Sequence, residues 1–138
     1  MKHTVSANWL KNMSFEGDID GHKILIDAKP EHGGENKGPT PKPFMLLALA
    51  GCTAMDVVSI LGKMQVQFDD FNVSVEGELT DEFPRHYNKM HVIYEFKGKN
   101  LPLDKIQKAI SLSEDKYCGV NAVYKKTIEM SSEIRVKL

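Results

Sequence analysis

The sequence predicts an α+β fold in which antiparallel sheets flank one long buried helix. Segments of alternating apolar and polar residues occur both before and after a long apolar segment, residues 44–64. A second helical segment begins at Leu103 and precedes a final alternating segment. The resulting order of strands, helix, strands, helix and strand favours antiparallel sheets over a doubly wound parallel fold.

The first residues alternate as short antiparallel strands do. Val5, Ala7 and Trp9 fall on one side of a first strand, and Ile24 and Ile26 share one side of a later strand. Glycine and aspartate residues, which favour turns, separate these segments. We therefore expect two or three strands here.

A loop follows, because residues 29–43 contain four prolines and three glycines. These residues disfavour both a helix and a strand ladder. Long loops inside compact domains are often functional, but a simple connector fits this composition equally well.

The segment from Phe44 to Met64 predicts a single long helix. Residues 44–61 are apolar nearly all round, with Asp56 as the only charge, and Pro43 suits the helix start. The interior charge and the amphipathic remainder of the chain favour a central helix over a membrane span. One small sheet and one amphipathic helix give such a helix too little cover, so we expect an intertwined homodimer.

The second half of the chain predicts a hairpin, an amphipathic helix and a last strand. Residues 71–76 and 90–96 alternate on either side of a turn. Apolar residues recur at helical spacing after Leu103, and the pattern breaks at Cys118. Residues 128–138 alternate as a strand.

Composition limits the possible functions. A length of 138 residues predicts one domain, 1–138. The chain has 41% hydrophobic and 27% charged residues, which are values typical of globular proteins. A net charge of −1 gives no electrostatic basis for binding nucleic acid or a membrane surface. No apolar signal segment follows Met1, so we expect a cytoplasmic location.

The chemistry of this chain depends on its two cysteines, Cys52 and Cys118. Two cysteines are too few for a disulfide scaffold, and the cytosol keeps ordinary thiols reduced. Both inert buried thiols and redox-active thiols fit the count. No histidine or other cysteine lies within five residues of either one, so the paired spacing of zinc sites is absent and we expect neither a metal nor a cofactor.

Three segments resemble the OsmC/Ohr family of osmotically inducible and organic-hydroperoxide-resistance proteins. They are GPTP at residues 38–41, LLALAGCTAMDVV at 46–58 and LSEDKYC at 112–118. The resemblance covers essentially the whole chain. It implies an OsmC-like α+β fold, a swapped homodimer with two active sites at the subunit interface, and thiol-dependent reduction of organic hydroperoxides.

The resemblance also implies roles for both cysteines. Cys52 would attack the peroxide, Cys118 would resolve the product by disulfide formation, and an external dithiol such as a lipoyl group would reduce the disulfide. The chain departs from the characterised peroxidases at two places. It has no arginine before Arg85, and Lys42 and Pro43 stand where those peroxidases have a glutamate.

Cys52 needs a neighbouring cation to become a thiolate, because the carboxylate of Asp56, one helical turn away, disfavours a second negative charge. We expect Arg85 to reach across the dimer and stabilise the thiolate, with Asp56 orienting its guanidinium. The sequence fits two alternatives equally well. Arg85 is then simply exposed to solvent, and Asp56 forms hydrogen bonds with nearby backbone. Lys37 and Lys42 are weaker candidates for the cation.

Cys118 lies between two helical segments and is expected to receive amide hydrogens from a helix start, which would lower its pKa. The attacking and resolving roles are therefore open to reversal. Tyr117, Phe44 and Met45 are candidates for an apolar pocket around the tail of a hydroperoxide. The rival function is non-enzymatic binding of a small hydrophobic ligand, or redox sensing.

Overall fold

The computed structural model describes residues 1–138, which divide into unit 1, residues 1–45, and unit 2, residues 46–138. Unit 1 contains an antiparallel sheet in the order β1-β2-β3. Its strands are β1 (Val5–Lys11), β2 (Ser14–Ile19) and β3 (His22–Ile26). The turn between β2 and β3 uses Asp20 and Gly21 at positive φ, 51° and 82°, which suits a two-residue hairpin turn. The three strands confirm the prediction for this segment.

The proline-rich segment after β3 is an anchored loop. Asp27 is buried, and its carboxylate accepts backbone N–H groups of Ala28, Glu35 and Lys37 at 2.7, 3.2 and 3.1 Å. Burial alone would raise the pKa of Asp27, but the three amide donors outweigh it and lower that pKa. Gly34 belongs to the same anchor, since a Cβ there would lie 1.9 Å from the carbonyl oxygen of Ala28. The loop is therefore a folded element.

Unit 2 is built on a long helix, α1 (Pro43–Lys63), whose first three residues belong to unit 1. It also contains β4 (Asp70–Leu79), β5 (Tyr87–Lys97), α2 (Leu103–Leu112), α3 (Gly119–Tyr124) and β6 (Glu129–Lys137). The core consists of apolar side chains from α1, β5 and α2. Its fully buried members include Leu49, Val57, Leu61, Tyr94, Phe96, Ile106 and Ala109.

The prediction of purely antiparallel sheets is wrong for the last strand. β4 and β5 form the expected antiparallel hairpin, but β6 pairs with β5 in parallel, from Lys89 opposite Glu129 to Lys97 opposite Lys137. The 31-residue connection, residues 98–128, carries α2 and α3, which return the chain to the starting end of β5. Alternation of side chains is the same in both strand directions, so the sequence pattern could not reveal this pairing.

Helix α1 is buried on one side only. Leu49, Thr53 and Val57 lie in the core at 1% exposure or less, whereas Leu47 and Met55 are 65% and 76% exposed. By length and composition alone, α1 would suffice to cross a membrane. The expected all-round burial therefore does not occur within one chain, because unit 2 covers a single face of the helix.

Candidate active site at two thiols and a carboxylate

Cys52 and Asp56 lie on one face of α1. They are four residues apart, which places them one helical turn from each other. Both side chains are partly buried, next to the fully buried positions Leu49 and Thr53. The apolar environment of α1 thus holds a thiol and a carboxylate side by side.

Cys118 is positioned by a break between two helices. After α2, residues 113–117 form one π-helical turn, and Cys118 then leaves the helical conformation with φ −76° and ψ 104°. Its N–H donates to the carbonyl of Ser113 at 2.7 Å, and its Sγ accepts the N–H of Asn121 at 3.3 Å. Cys118 therefore caps the start of α3, and the expected amide donor of a helix start is confirmed.

The fold brings the two cysteines together. The Sγ atoms of Cys52 and Cys118 and one carboxylate oxygen of Asp56 all lie within 4.8 Å of one another. Both cysteines are free thiols, with Cys52 partly buried and Cys118 buried. The two sulfurs are thus close enough to form a disulfide after a small side-chain movement.

The expectation of a lowered pKa for Cys118 is wrong. Burial, together with a hydrogen bond to Cys52, raises the pKa of Cys118 to about 11, although the N–H of Asn121 acts in the opposite direction. Desolvation outweighs the amide donors of Asn121 and Val120 because the side chain of Cys118 is only 3% exposed. Cys118 therefore keeps its proton at neutral pH.

Asp56 is held by a hydroxyl group. Ser113, which is fully buried, donates its Oγ hydrogen to Asp56 Oδ2 at 2.9 Å. The alternative in which Asp56 bonds to nearby backbone does not occur, since its partner is a side chain from the π-helical turn. Sequence reasoning missed Ser113, because no local pattern indicates a contact across 57 residues.

A second group of hydrogen bonds holds the π-helical turn to β5 and α3. The buried Tyr94 on β5 donates its hydroxyl to Glu114 Oε2 at 2.9 Å, and Asn121 Nδ2 donates to the carbonyl of Glu114 at 2.7 Å. Burial and the carboxylate of Glu114 raise the pKa of Tyr94, so that its hydroxyl remains a donor. Cys118 is thereby held between two residues, Ser113 and Asn121, that are themselves anchored.

Arg85 lies elsewhere within the chain. It occupies the exposed turn between β4 and β5, with its guanidinium carbon 4.9 Å from the centre of the Phe83 ring. Neither Arg85 nor Asp56 takes part in an ion pair within the chain. Lys37 forms an ion pair with Glu35 in unit 1, at 3.4 Å. A single chain thus does not pair Arg85 with Asp56.

A cavity of about 370 Å³ opens beside Asp56 in unit 2. Its lining residues are Asp56, Ser59, Ile60, Lys63, Met64, Leu112 and Tyr117. Tyr117 thus takes part in a cavity as expected, whereas Phe44 lines a different one, formed by unit 1. Lys63 was missed by sequence reasoning, although its position seven residues after Asp56 places both on one face of α1.

Comparison with known proteins agrees with this architecture. A family model described as OsmC-like protein matches residues 34–133. The chain is 31% identical to Protein YhfA of Escherichia coli K12 over 131 residues, covering 94% of this chain and 95% of YhfA.

Solved structures show the same fold at lower identity. An OsmC like protein from Mycoplasma pneumoniae matches with a TM-score of 0.83 and 16% identity, covering 100% of this chain and 99% of its own. An organic hydroperoxide resistance protein from Elizabethkingia anophelis matches with a TM-score of 0.75 and 11% identity, covering 99% and 97%. The family model and the relative at 31% identity together establish that this chain belongs to the OsmC-like family.

Proposed function

We propose that this protein is a thiol-dependent peroxidase that reduces organic hydroperoxides, with Cys52 as the attacking and Cys118 as the resolving thiol. The observation that carries the proposal is the close approach of the two sulfurs, within 4.8 Å, although they come from different elements. A family neighbour of the same fold is named an organic hydroperoxide resistance protein. Two thiols at this distance can donate two electrons to one peroxide and end as one disulfide.

The reaction has two steps on the protein. The Cys52 thiolate attacks the terminal oxygen of the hydroperoxide, the O–O bond breaks, and the alkoxide leaves and takes up a proton as the alcohol. Cys52 is then a sulfenic acid. Cys118 attacks its sulfur, an S–S bond forms, and the departing hydroxide takes the Cys118 proton to leave as water. An external dithiol reduces the disulfide and restores both thiols.

The burial and the fixed position of Cys118 support its resolving role. Cys118 is only 3% exposed, so a peroxide from solvent reaches it less readily than it reaches the partly buried Cys52. The thiol of Cys118 is in place for the sulfenic acid, since Ser113 and Asn121 hold its backbone and its sulfur. Cys52 is partly buried whereas Cys118 is buried, and this difference in access favours Cys52 as the group that reacts first.

The cavity beside Asp56 suits an organic substrate. Ile60, Met64 and Leu112 give it apolar walls, while Lys63 and Asp56 are its charged lining residues. An alkyl or aryl tail would pack on the apolar walls while its peroxide group lies towards the thiols. This arrangement favours organic hydroperoxides over hydrogen peroxide, which has no tail to bind.

We also propose that the functional form is an intertwined homodimer. Leu47, Met55 and Val58 of α1 are 65%, 76% and 47% exposed, which leaves an apolar helix face in water. Pairing with a second copy would cover that face. Sedimentation velocity on the purified chain should give a dimer across the micromolar range. A monomer throughout that range would contradict the proposal.

Arg85 of the partner subunit is our proposed cation for Cys52. Arg85→Met should slow peroxide attack at pH 7 about tenfold, equivalent to about 1.4 kcal/mol, because the thiolate and the departing oxygen both lose a positive neighbour. Raising the pH should restore part of the rate, since alkali replaces the effect on the thiolate but not on the leaving oxygen.

The matched control is Arg135→Met, which removes the only other arginine, held by Glu133 on β6 at 3.1 Å. The rates are read from the pH profile of iodoacetamide alkylation and from peroxide consumption, with Cys118→Ser as the background for alkylation. Equal profiles for Arg85→Met and Arg135→Met would show that Arg85 takes no part.

The experiment that tests the proposed function is a peroxidase assay with cumene hydroperoxide and two separate reductants. Dihydrolipoamide should support multiple turnovers, because its second thiol releases the mixed disulfide by ring closure. A monothiol at equal thiol concentration should support slower turnover. Absence of peroxide consumption with both reductants would reject the proposal.

One observation favours the rival function. Unit 1 has an apolar cavity of about 460 Å³, lined by residues that include Val5, Ala7, Ile24, Ile26 and Phe44. A cavity of this kind suits a small hydrophobic ligand. A binding protein of this type would leave both thiols unchanged after exposure to peroxide, whereas the peroxidase would lose both.

A further inference from the structure

The cluster of Cys52, Asp56 and Cys118 has a second chemical capacity. The spacing of its residues along the chain disfavours a metal site, but the fold places two sulfurs and one carboxylate oxygen within 4.8 Å of one another. Around a tetrahedral zinc ion, sulfur ligands at about 2.3 Å and an oxygen ligand at about 2.0–2.2 Å lie roughly 3.5–3.8 Å apart. Side-chain shifts of about 1 Å would therefore close the cluster around one ion.

We infer that Cys52, Asp56 and Cys118 form a binding site for one thiophilic divalent metal ion of the zinc class. Two thiolate donors select such an ion over magnesium or calcium, which prefer oxygen ligands throughout. Three protein ligands satisfy three positions of a tetrahedron. The fourth position would be left for water, which can reach Asp56 from the 370 Å³ cavity that this residue lines.

The surrounding hydrogen bonds orient two of the three ligands. Ser113 donates to Oδ2 of Asp56 and so fixes the orientation of the carboxylate. The N–H of Asn121 points at Sγ of Cys118, where it would stabilise a metal-bound thiolate. Outer donors of this type fix ligand orientation in metal sites, and their loss weakens metal affinity about 10- to 100-fold.

Metal binding and disulfide formation exclude each other at this site. Each thiol gives its proton to solvent when the ion binds. Both sulfurs are then occupied, and no sulfenic acid or disulfide forms until the ion leaves. The inference uses the proposed peroxidase thiols but does not require peroxidase activity, because binding is measured on reduced protein without peroxide.

The test is a titration of the reduced protein with Cd²⁺ under anaerobic conditions, read by the ultraviolet charge-transfer absorption of thiolate–cadmium bonds. We expect saturation at one Cd²⁺ per chain and displacement by Zn²⁺. Cys52→Ser and Cys118→Ser should each lose about half the absorption and bind at least tenfold more weakly. Lack of absorption in the parent chain, or an unchanged titration in either variant, would overturn the inference.

Two pairs of conservative variants test the oxygen ligand, Asp56, and the hydrogen bond from Ser113 that orients it. Asp56→Asn should weaken Cd²⁺ binding at least tenfold, whereas Asp115→Asn, an exposed aspartate of the π-helical turn, should not. Ser113→Ala should weaken binding about tenfold, and the exposed Ser111→Ala should not. Equal affinities within the aspartate pair would overturn the assignment of Asp56. A chain that binds one Cd²⁺ but consumes no peroxide would support this inference and reject the proposed function.

Discussion

Cys52→Ser is expected to abolish peroxide consumption. The substitution removes the only sulfur on α1, and serine cannot form a sulfenic acid or a disulfide. Cys118 would remain, but it is only 3% exposed, and the burial that is the main cause of its raised pKa persists without Cys52, so it should react slowly with peroxide. The rate with cumene hydroperoxide and dihydrolipoamide should therefore fall to the uncatalysed background.

Far-UV circular dichroism and thermal melting of the variant provide the control for folding. Serine is close in size to cysteine, and Cys52 is only partly buried, so the fold should persist. Activity equal to the parent would reject Cys52 as the attacking thiol. In that case, loss of activity in Cys118→Ser alone would reverse the two roles.

In the presence of dihydrolipoamide, Cys118→Ser is expected to consume one equivalent of peroxide per chain rapidly and then to stall, with at most a slow residual rate. Cys52 still reacts in this variant, but its sulfenic acid lacks the neighbouring thiol that lies within 4.8 Å in the parent. Dimedone, which adds to sulfenic acids, should label Cys52 in this variant and much less in the parent. Mass spectrometry of the intact chain and its peptides measures both results.

The choice of reductant further distinguishes Cys118→Ser from the parent chain. A dithiol or a monothiol can react directly with the exposed part of a sulfenic acid, so slow residual turnover is compatible with the proposed mechanism. Turnover as fast as that of the parent with a monothiol would show that Cys118 has no resolving role. Cys52 would then act as a single-cysteine peroxidase.

Most of the fold could be predicted from side-chain periodicity. The apolar segment 44–64 marks α1 to within one residue of its observed ends, and alternation marks all six strands. These features are local, because each depends on residues that are neighbours on one helix or strand. The parallel pairing of β6 depends on how residues 98–128 cross the sheet, and no local pattern encodes that path.

The candidate site was only partly predictable for the same reason. Resemblance to known proteins singled out Cys52 and Cys118, and helical spacing placed Asp56 beside Cys52. The protonation of Cys118 depends on burial by the rest of unit 2, so its position at a helix start was a misleading guide. Ser113 reaches Asp56 only because the π-helical turn places its hydroxyl there.

The most direct test of the account is the state of the two thiols after exposure to one equivalent of cumene hydroperoxide. Free thiols are counted before and after, and peptide mapping without reduction identifies any disulfide. If the protein is a peroxidase, we expect each chain to lose both free thiols and to gain one Cys52–Cys118 disulfide, which dihydrolipoamide then reduces. Two free thiols per chain after prolonged exposure, in a folded protein, would contradict it.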